Sequence, residues 1–303
     1  MRSATARTVT EVLVESDWTG RAEAHRARVE VFTAPYRRRA QQGGSHPVWD
    51  FLFTYYSFRP RQLRVWHPGY GVVLGGVTAG GYLRRSGYTE HPDGVTLGHA
   101  YLRSRAATVD FVTTLLRATA TRPAQFGCFG MHEWAMVYRA ADVRHQTVPL
   151  RLSRADTDAV VEAVGLRCTH FDAFRFFTPD AACRNRTRPS RENQVDTEQP
   201  GCVHATMDLY KWAYKLGPLI ASDLLMDCLR LAADARELDM RASPYDLSGY
   251  GFEPVTVEEP AGRAEYARLQ SALAAHAAPL REALLRRCEQ LRDHATDRMA
   301  PHR

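Results

Sequence analysis

The chain has 303 residues, 45% of them hydrophobic, which is enough to bury a full core as one large domain or two small ones. Its first residues lack a secretory apolar stretch, and no segment approaches the roughly 18 apolar residues of a membrane span, so we expect a cytoplasmic protein without membrane contact. The six cysteines form no CxxC pair, which argues against a zinc knuckle or a disulfide framework.

The formal net charge of +6 comes from arginine rather than lysine. Lys211 and Lys215 are the only lysines, and isoleucine and asparagine are also rare, as expected from a GC-rich genome. The arginines are dispersed, and the longest run is Arg37 to Arg39. Dispersed charge is a weak indication of nucleic-acid binding, so a small-molecule partner is favoured and nucleic acid remains the alternative.

Helical periodicity dominates the chain, and few stretches alternate as strands do. Asp17 can cap the first helix, and Ser153 can cap a later one that has Asp156 in its first turn. Residues 66–98 are rich in glycine and predict loops with at most a short hairpin. The predicted helices span about 17–42, 47–58, 99–120, 153–164, 203–216, 222–240 and 260–296, with 126–152 ambiguous between helix and strand and 254–258 a short strand candidate.

Residues 178–200 are polar and contain almost no apolar side chains, which predicts a surface loop or a lid. The sequence shows no internal repeat and no low-complexity linker. We therefore predict a mainly α fold, namely a single α-rich domain over 1–303 with at most a small β element.

Four segments place a histidine near an acid in apolar or aromatic surroundings. In two of them the spacing is four residues, so both side chains lie on one face of a helix. Such pairs suit two ligands of an iron, manganese or zinc ion, or an imidazole oriented by a carboxylate. For each pair alone, a buried hydrogen-bonding histidine or a helix cap is the favoured explanation, but four such pairs together favour a shared site. Haem remains an alternative cofactor. The candidate metal ligands are His46, Asp50, His132, Glu133, His170, His204 and Asp208.

The segment 203–216 combines one of these pairs with both lysines. His204, Asp208, Lys211 and Lys215 follow at i, i+4, i+7 and i+11, which makes one polar stripe on a helix. An ordinary amphipathic surface helix with local ion pairs would show the same pattern. Because a desolvated lysine can act as a base or nucleophile, Lys211 is also a catalytic candidate.

A further polar group occurs in the segment LDMRASPYDL. It places Asp239, Arg241, Tyr245 and Asp246 around a predicted helix end and a proline turn. Residues in loops between rigid elements often bind ligands, so we take Arg241 as a candidate substrate-binding residue and Tyr245 and Asp246 as candidate catalytic residues. Helix termination with local salt bridges would explain the segment equally well.

Several long motifs resemble an actinobacterial family labelled 3-methyladenine DNA glycosylase. The motifs are HPVWDFLFTYYSFRP, CFGMHEWAMVYR, HFDAFRFFTP, EQPGCVHATMDLYKWAYKLGPL and RELDMRASPYDL, and the resemblance covers roughly residues 20–270. It implies a pocket of aromatic side chains for an extruded base and a carboxylate that supports the leaving sugar. Trp134, Phe171, Phe174 and Tyr245 are the aromatic candidates for that role, and Asp172 and Asp246 are the acidic ones.

These observations favour one function and leave two alternatives. The favoured function is a metal-dependent enzyme, of the oxygenase or hydrolase type, that acts on a small aromatic or amino-acid-like substrate, because this function uses the histidines directly. The first alternative is the glycosylase that the resemblance implies, and the second is a non-catalytic protein that binds a small ligand.

Overall fold

The computed structural model describes residues 11–140 and 148–296. Helices hold 62% of these residues and strands 6%, which confirms the predicted mainly α fold. No helix within the described ranges is long and apolar enough to cross a bilayer.

Within the described ranges, six helices of eleven residues or more form most of the helical structure, and several shorter helices connect them. The long helices are α1 (Glu15–Gln41), α5 (Ala106–Thr121), α7 (Arg154–Val164), α11 (Val203–Leu216), α12 (Ser222–Arg241) and α13 (Pro260–Thr296). The short helices are α2 (Phe51–Thr54), α3 (Pro60–Leu63), α4 (His99–Ser104), α6 (Met131–Ala135), α8 (Phe171–Phe174), α9 (Pro179–Arg184) and α10 (Gln194–Thr197), and 3₁₀ turns occupy Val77–Arg84, Gly217–Leu219 and Ser248–Tyr250.

The small sheet has four strands in the order β1-β2-β4-β3, namely β1 (Glu11–Leu13), β2 (Val72–Leu74), β3 (Tyr88–His91) and β4 (Gly94–Leu97). β3 and β4 form the hairpin expected in the glycine-rich region, with Tyr88 opposite Leu97, and β1 adds in parallel to β2. Because alternate side chains of a strand face one side, Val95 and Leu97 are both buried against the helical core.

Helix α11 is the centre of the helical packing, since α5, α12 and α13 all contact it. Twelve of its fourteen residues are buried. The amphipathic surface helix considered as an alternative for 203–216 is therefore wrong. Its polar side chains must find partners inside the protein, because an unpaired polar group in the core is costly.

Four local predictions need correction. Asp17 does not cap α1, because the helix begins before it and Asp17 lies within its first turn. Residues 254–258 form no strand, because no described strand pairs with them, although Val255 and Val257 are buried. The aromatic run after Pro47 is helical only at Phe51–Thr54. The segment 178–200 is not a plain surface loop, since it contains α9 and α10 and buries Gln194.

Candidate functional site

Helix α11 carries the central residues of the site. His204, Asp208 and Lys211 lie on one face, as the sequence spacing predicted, and their exposures are 8%, 2% and 6%. Lys215, one turn further on, is exposed. Only the part of the polar stripe before Lys215 is therefore enclosed by the protein.

A strained loop places His132 against this face. Phe129 and Gly130 both have positive φ values, 50° and 69°, and helix α6 starts directly after them. A β-carbon on Gly130 would lie 3.1 Å from the Cβ of Ala242, so glycine allows both the left-handed backbone and the close packing. His132 thereby comes to lie 4.3 Å from His204, measured between ring centroids, with the two rings nearly perpendicular.

Helix α12 supplies a carboxylate to the same place. His132 Nε2 lies 2.6 Å from Asp239 Oδ1, and Asp239 is completely buried. Arg236, one turn earlier on the helix, donates from one nitrogen to Asp239 Oδ2 at 2.8 Å and to Glu133 Oε1 at 2.9 Å. The guanidinium thus fixes the orientation of Asp239 and leaves its Oδ1 facing the two imidazoles.

The contact between His132 and Asp239 is a short ion pair. Their facing atoms are 2.6 Å apart, within hydrogen-bond reach. No hydrogen bond or ion pair joins the His204 imidazole to another described side chain. The ligand atoms of His132, His204 and Asp239 all lie within 4.8 Å of one another, and all three residues are buried. Two imidazoles and a carboxylate that converge in this way are a donor set that can hold one ion.

The ionisation of these groups follows from their burial and their neighbours. Burial, followed by the charge of His132, lowers the pKa of His204 well below its ordinary value, so His204 is neutral. Burial alone would also lower the pKa of His132, but the adjacent Asp239 carboxylate outweighs it and raises that pKa. Burial would raise the pKa of Asp239, and the facing His132 reverses the shift, so Asp239 is an anion.

A second cluster lies on the other side of His204. His170 is 5.3 Å from His204 between ring centroids, and its Nε2 is 3.1 Å from Asp208 Oδ2 and 3.4 Å from Glu198 Oε1. His170, Glu198 and Asp208 are the second buried group whose geometry could hold an ion. Tyr56 also donates its hydroxyl to Asp208 at 3.4 Å.

Lys211 already neutralises part of this second cluster. Its Nζ donates to Asp172 Oδ2 at 2.6 Å and also contacts Asp208. Burial alone would lower the pKa of Lys211, but the two carboxylates raise it above its ordinary value. The side chain is therefore an ammonium ion, which contradicts the prediction of Lys211 as a neutral base or nucleophile.

The structure brings together three of the four predicted histidines and separates the fourth. The His46 ring packs against Trp49 and Tyr250, and its backbone nitrogen donates to Asp50 at 2.8 Å. Asp50 also forms an ion pair with Arg39. His46 and Asp50 therefore serve as a local turn and an ion pair, and neither contacts the other candidate ligands.

The candidates near the end of α12 also have local roles. Tyr245 is buried in a small hydrophobic cluster that includes Val48. Asp246 accepts a hydrogen bond from the backbone of Ser248, and Arg241 donates to the carbonyl of Glu253. The packing of this proline turn, rather than ligand binding, accounts for these contacts.

The aromatic candidates lie in the core or at the surface rather than around one pocket. Trp134 is fully buried, and its indole nitrogen donates to the Ala242 carbonyl at 2.8 Å. Phe171 has the Arg191 guanidinium over its ring, and Phe174 packs on Phe177. None of the three lines a cavity beside His204.

Two cavities meet at His204. Cavity 1 has a volume of about 180 Å³ and reaches both His132 and His204. Cavity 2 has a volume of about 310 Å³ and is walled by aromatic rings together with Glu133 and Asp172. Neither is lined by His170, Glu198 or Asp208. Cavity 1 is lined by Gln125, Gly127, Cys128, His132, Arg167, Cys168, Thr169, Arg186, Gln199, Cys202, Val203, His204, Tyr266 and Gln270.

Sequence reasoning missed Asp239 and Glu198 as candidate ligands, and Arg236 as the ion-pair partner of Asp239. A local signal existed for one pair, because Arg236 and Asp239 are three residues apart on a helix. No spacing in the sequence connected Asp239 with His132, which is more than one hundred residues away. No protein-family model, no curated protein and no solved structure matches the chain.

Proposed function

We propose that the protein is a metal-dependent enzyme whose ion is held by His132, His204 and Asp239. The observation that carries this proposal is that three buried ligand atoms, from His132, His204 and Asp239, lie within 4.8 Å of one another, while the neutral His204 imidazole has no hydrogen-bond partner among the described residues. In a fully buried site, such groups need a common positive partner.

Charge favours the same assignment. Arg236 is shared by two carboxylates, Glu133 and Asp239, so this cluster requires one further positive charge. Either a proton on His132 or a metal ion can supply it, and the two compete because a ligand histidine must be deprotonated. In the second cluster, the Lys211 ammonium contacts the same oxygen of Asp208 that faces His170, so a cation already lies where an ion would bind.

Access distinguishes the two clusters further. His132 and His204 line cavity 1, and His204 also lines cavity 2, so an ion held by them can contact a ligand from either side. Two histidines and one carboxylate leave coordination positions open for water, dioxygen or substrate, and this set occurs in non-haem iron oxygenases and, with a glutamate, in zinc hydrolases. When bound, the metal supplies Lewis-acid activation of such a ligand.

The remaining residues support this centre. Arg236 holds Asp239 from the side away from the imidazoles, which is the role that second-layer partners play at metal sites. His170 lies 5.3 Å from His204 and can hold a proton on Nε2 against Asp208. Burial alone would lower the pKa of His170, but Glu198 and Asp208 raise it, so a proton is available beside the centre.

Metal analysis of matched variants tests the proposal. We expect protein purified without chelators from medium containing iron, manganese and zinc to hold about one ion per chain by elemental analysis. His132→Gln should lose the ion, whereas His170→Gln, altered in the second cluster, should retain most of it. Circular dichroism of both variants checks the fold.

Two results would contradict the proposal. Loss of the ion only in His170→Gln would move the site to the second cluster. Metal-free protein that releases 3-methyladenine from methylated DNA would support the glycosylase implied by the sequence resemblance, because that reaction uses no metal ion in the scheme considered above.

A further inference from the structure

Building on the proposed metal centre, we propose that cavity 1 binds a small organic anion through the guanidinium groups of Arg167 and Arg186. The anion is a carboxylate or a phosphate monoester, since a guanidinium group binds both with the same paired geometry. This inference names the class of molecule that reaches His132 and His204, which the metal centre alone leaves open.

The composition of the cavity wall indicates the sign of the ligand. Two arginines line cavity 1, and no aspartate or glutamate does. Within the described ranges, no side chain forms an ion pair or hydrogen bond with either arginine, although others nearby, such as Arg184, are paired with a carboxylate. Both arginines are exposed, so cavity 1 presents towards solvent two positive charges that no described carboxylate neutralises.

The backbone holds the two arginines next to each other. Leu166 and Asn185 form a parallel bridge, and the backbone nitrogen of Arg186 donates to the Leu166 carbonyl at 3.1 Å. Arg167 and Arg186 follow this bridge by one residue on the two adjacent segments, where neighbouring backbones lie about 5 Å apart. Side chains from neighbouring backbone positions can bring two guanidinium groups to the same anionic group.

The interior of the cavity adds a hydrogen-bond acceptor. Gln270 is 2% exposed, and its Nε2 donates to the carbonyl of Gly201 at 2.6 Å. Its Oε1 has no hydrogen-bond partner among the described residues. A ligand that carries a hydroxyl or amine beside its anionic group would satisfy this oxygen. The wall therefore favours a small hydroxy acid, amino acid or phosphorylated alcohol.

The volume limits the size of the ligand. An apolar cavity of about 150 Å³ accommodates benzene, and a water molecule occupies about 30 Å³ of liquid. Cavity 1, at about 180 Å³, consequently has room for a molecule of benzene size or slightly larger. A nucleotide of a DNA chain would not fit inside it, although a backbone phosphate could still contact the two arginines from outside.

Calorimetric titration of the metal-loaded protein with glycolate and with inorganic phosphate tests this inference, and glycolamide serves as the uncharged control. We expect at least one of the two anions to bind with a Kd of about 1 mM or tighter and glycolamide to bind at least tenfold more weakly. Arg167→Gln and Arg186→Gln should each weaken anion binding about tenfold or more. Arg188→Gln, an exposed neighbour that does not line cavity 1, should leave it unchanged.

The outcomes separate this inference from the proposed function. Retained metal in the arginine variants with unchanged anion affinity would overturn the anion site and leave the metal centre intact. Protein that binds the anion but holds no metal ion, even when purified without chelators, would instead contradict only the metal centre. If neither anion binds, or if a short DNA duplex binds tightly and loses affinity in the same two variants, the cavity is not a small-anion site.

Discussion

Replacement of His204 by leucine tests whether this histidine is a metal ligand or only a structural residue. The imidazole is neutral and 8% exposed and makes ring contacts with His132 and His170 but no hydrogen bond. Leucine is similar in size and leaves no polar partner unsatisfied. In protein stripped of metal, we therefore expect His204→Leu to change the free energy of unfolding by less than about 1.5 kcal/mol.

The metal-loaded protein should respond differently. An ion present at 100 times its Kd stabilises the native state by about 2.7 kcal/mol, according to the linkage between binding and folding. Loss of a partner that merely orients a ligand weakens metal binding by about 10–100-fold, so loss of a ligand should cost at least the upper value. A 100-fold weaker site at the same ion concentration leaves a stabilisation of only about 0.4 kcal/mol.

Urea unfolding with and without the ion measures both quantities in one experiment. His46→Leu is the matched control, because His46 was a candidate ligand in the sequence and contacts only its own turn and neighbouring aromatic rings in the structure. It should retain the full metal-dependent stabilisation. The reasoning would be refuted if His204→Leu also kept the full stabilisation, or if the variant lost as much stability without the ion as with it.

Two further predictions concern the ionised core away from the proposed ligands. Lys211→Met should lower the free energy of unfolding by about 3–5 kcal/mol, because it leaves the buried Asp208 carboxylate without its lysine partner, whereas Asp172 keeps Arg175. Lys215→Met at an exposed position should change that free energy by less than about 0.5 kcal/mol, and similar losses for the two variants in urea unfolding would contradict this. Burial lowers the pKa of His67 from 6.5 to about 3, so the unfolded chain binds a proton that the folded protein excludes, and this histidine makes the protein less stable as the pH falls from 6.5 towards 3. In the His67→Asn variant, the fall in the free energy of unfolding over this pH range should be smaller by about 2–4 kcal/mol. If the free energies of unfolding of the two proteins change in parallel with pH, His67 is not the group responsible.

Sequence patterns were sufficient to predict several features that depend only on the residues of a single helix, such as its bounds or its cap. The bounds of α11 were predicted as 203–216, because helical periodicity starts after Gly201 and stops at Gly217-Pro218. The Ser153 cap is present as expected, since its hydroxyl accepts a hydrogen bond from the backbone of Asp156. The C-terminal helix likewise begins at Pro260 as predicted.

Local patterns failed where an element depends on a neighbour. The 254–258 segment has strand-like alternation, but a strand requires a partner, and none of the described residues pairs with it. The polar segment 178–200 was expected at the surface because its composition is hydrophilic. Gln194 and Glu198 are nevertheless buried, and the amide nitrogen of Gln194 donates to Glu198, so the two polar side chains partner each other inside the protein.

By itself, the sequence determined the helical class of the protein and the shared helical face of His204, Asp208 and Lys211, because backbone geometry relates residues three or four positions apart. Only the tertiary structure decided that His132 and Asp239 meet that face, while His46, in a segment of similar composition, does not. The reason is physical: spacing along one helix orients side chains on that helix, whereas the packing of distant helices decides which faces are enclosed together and which charges must then share a partner.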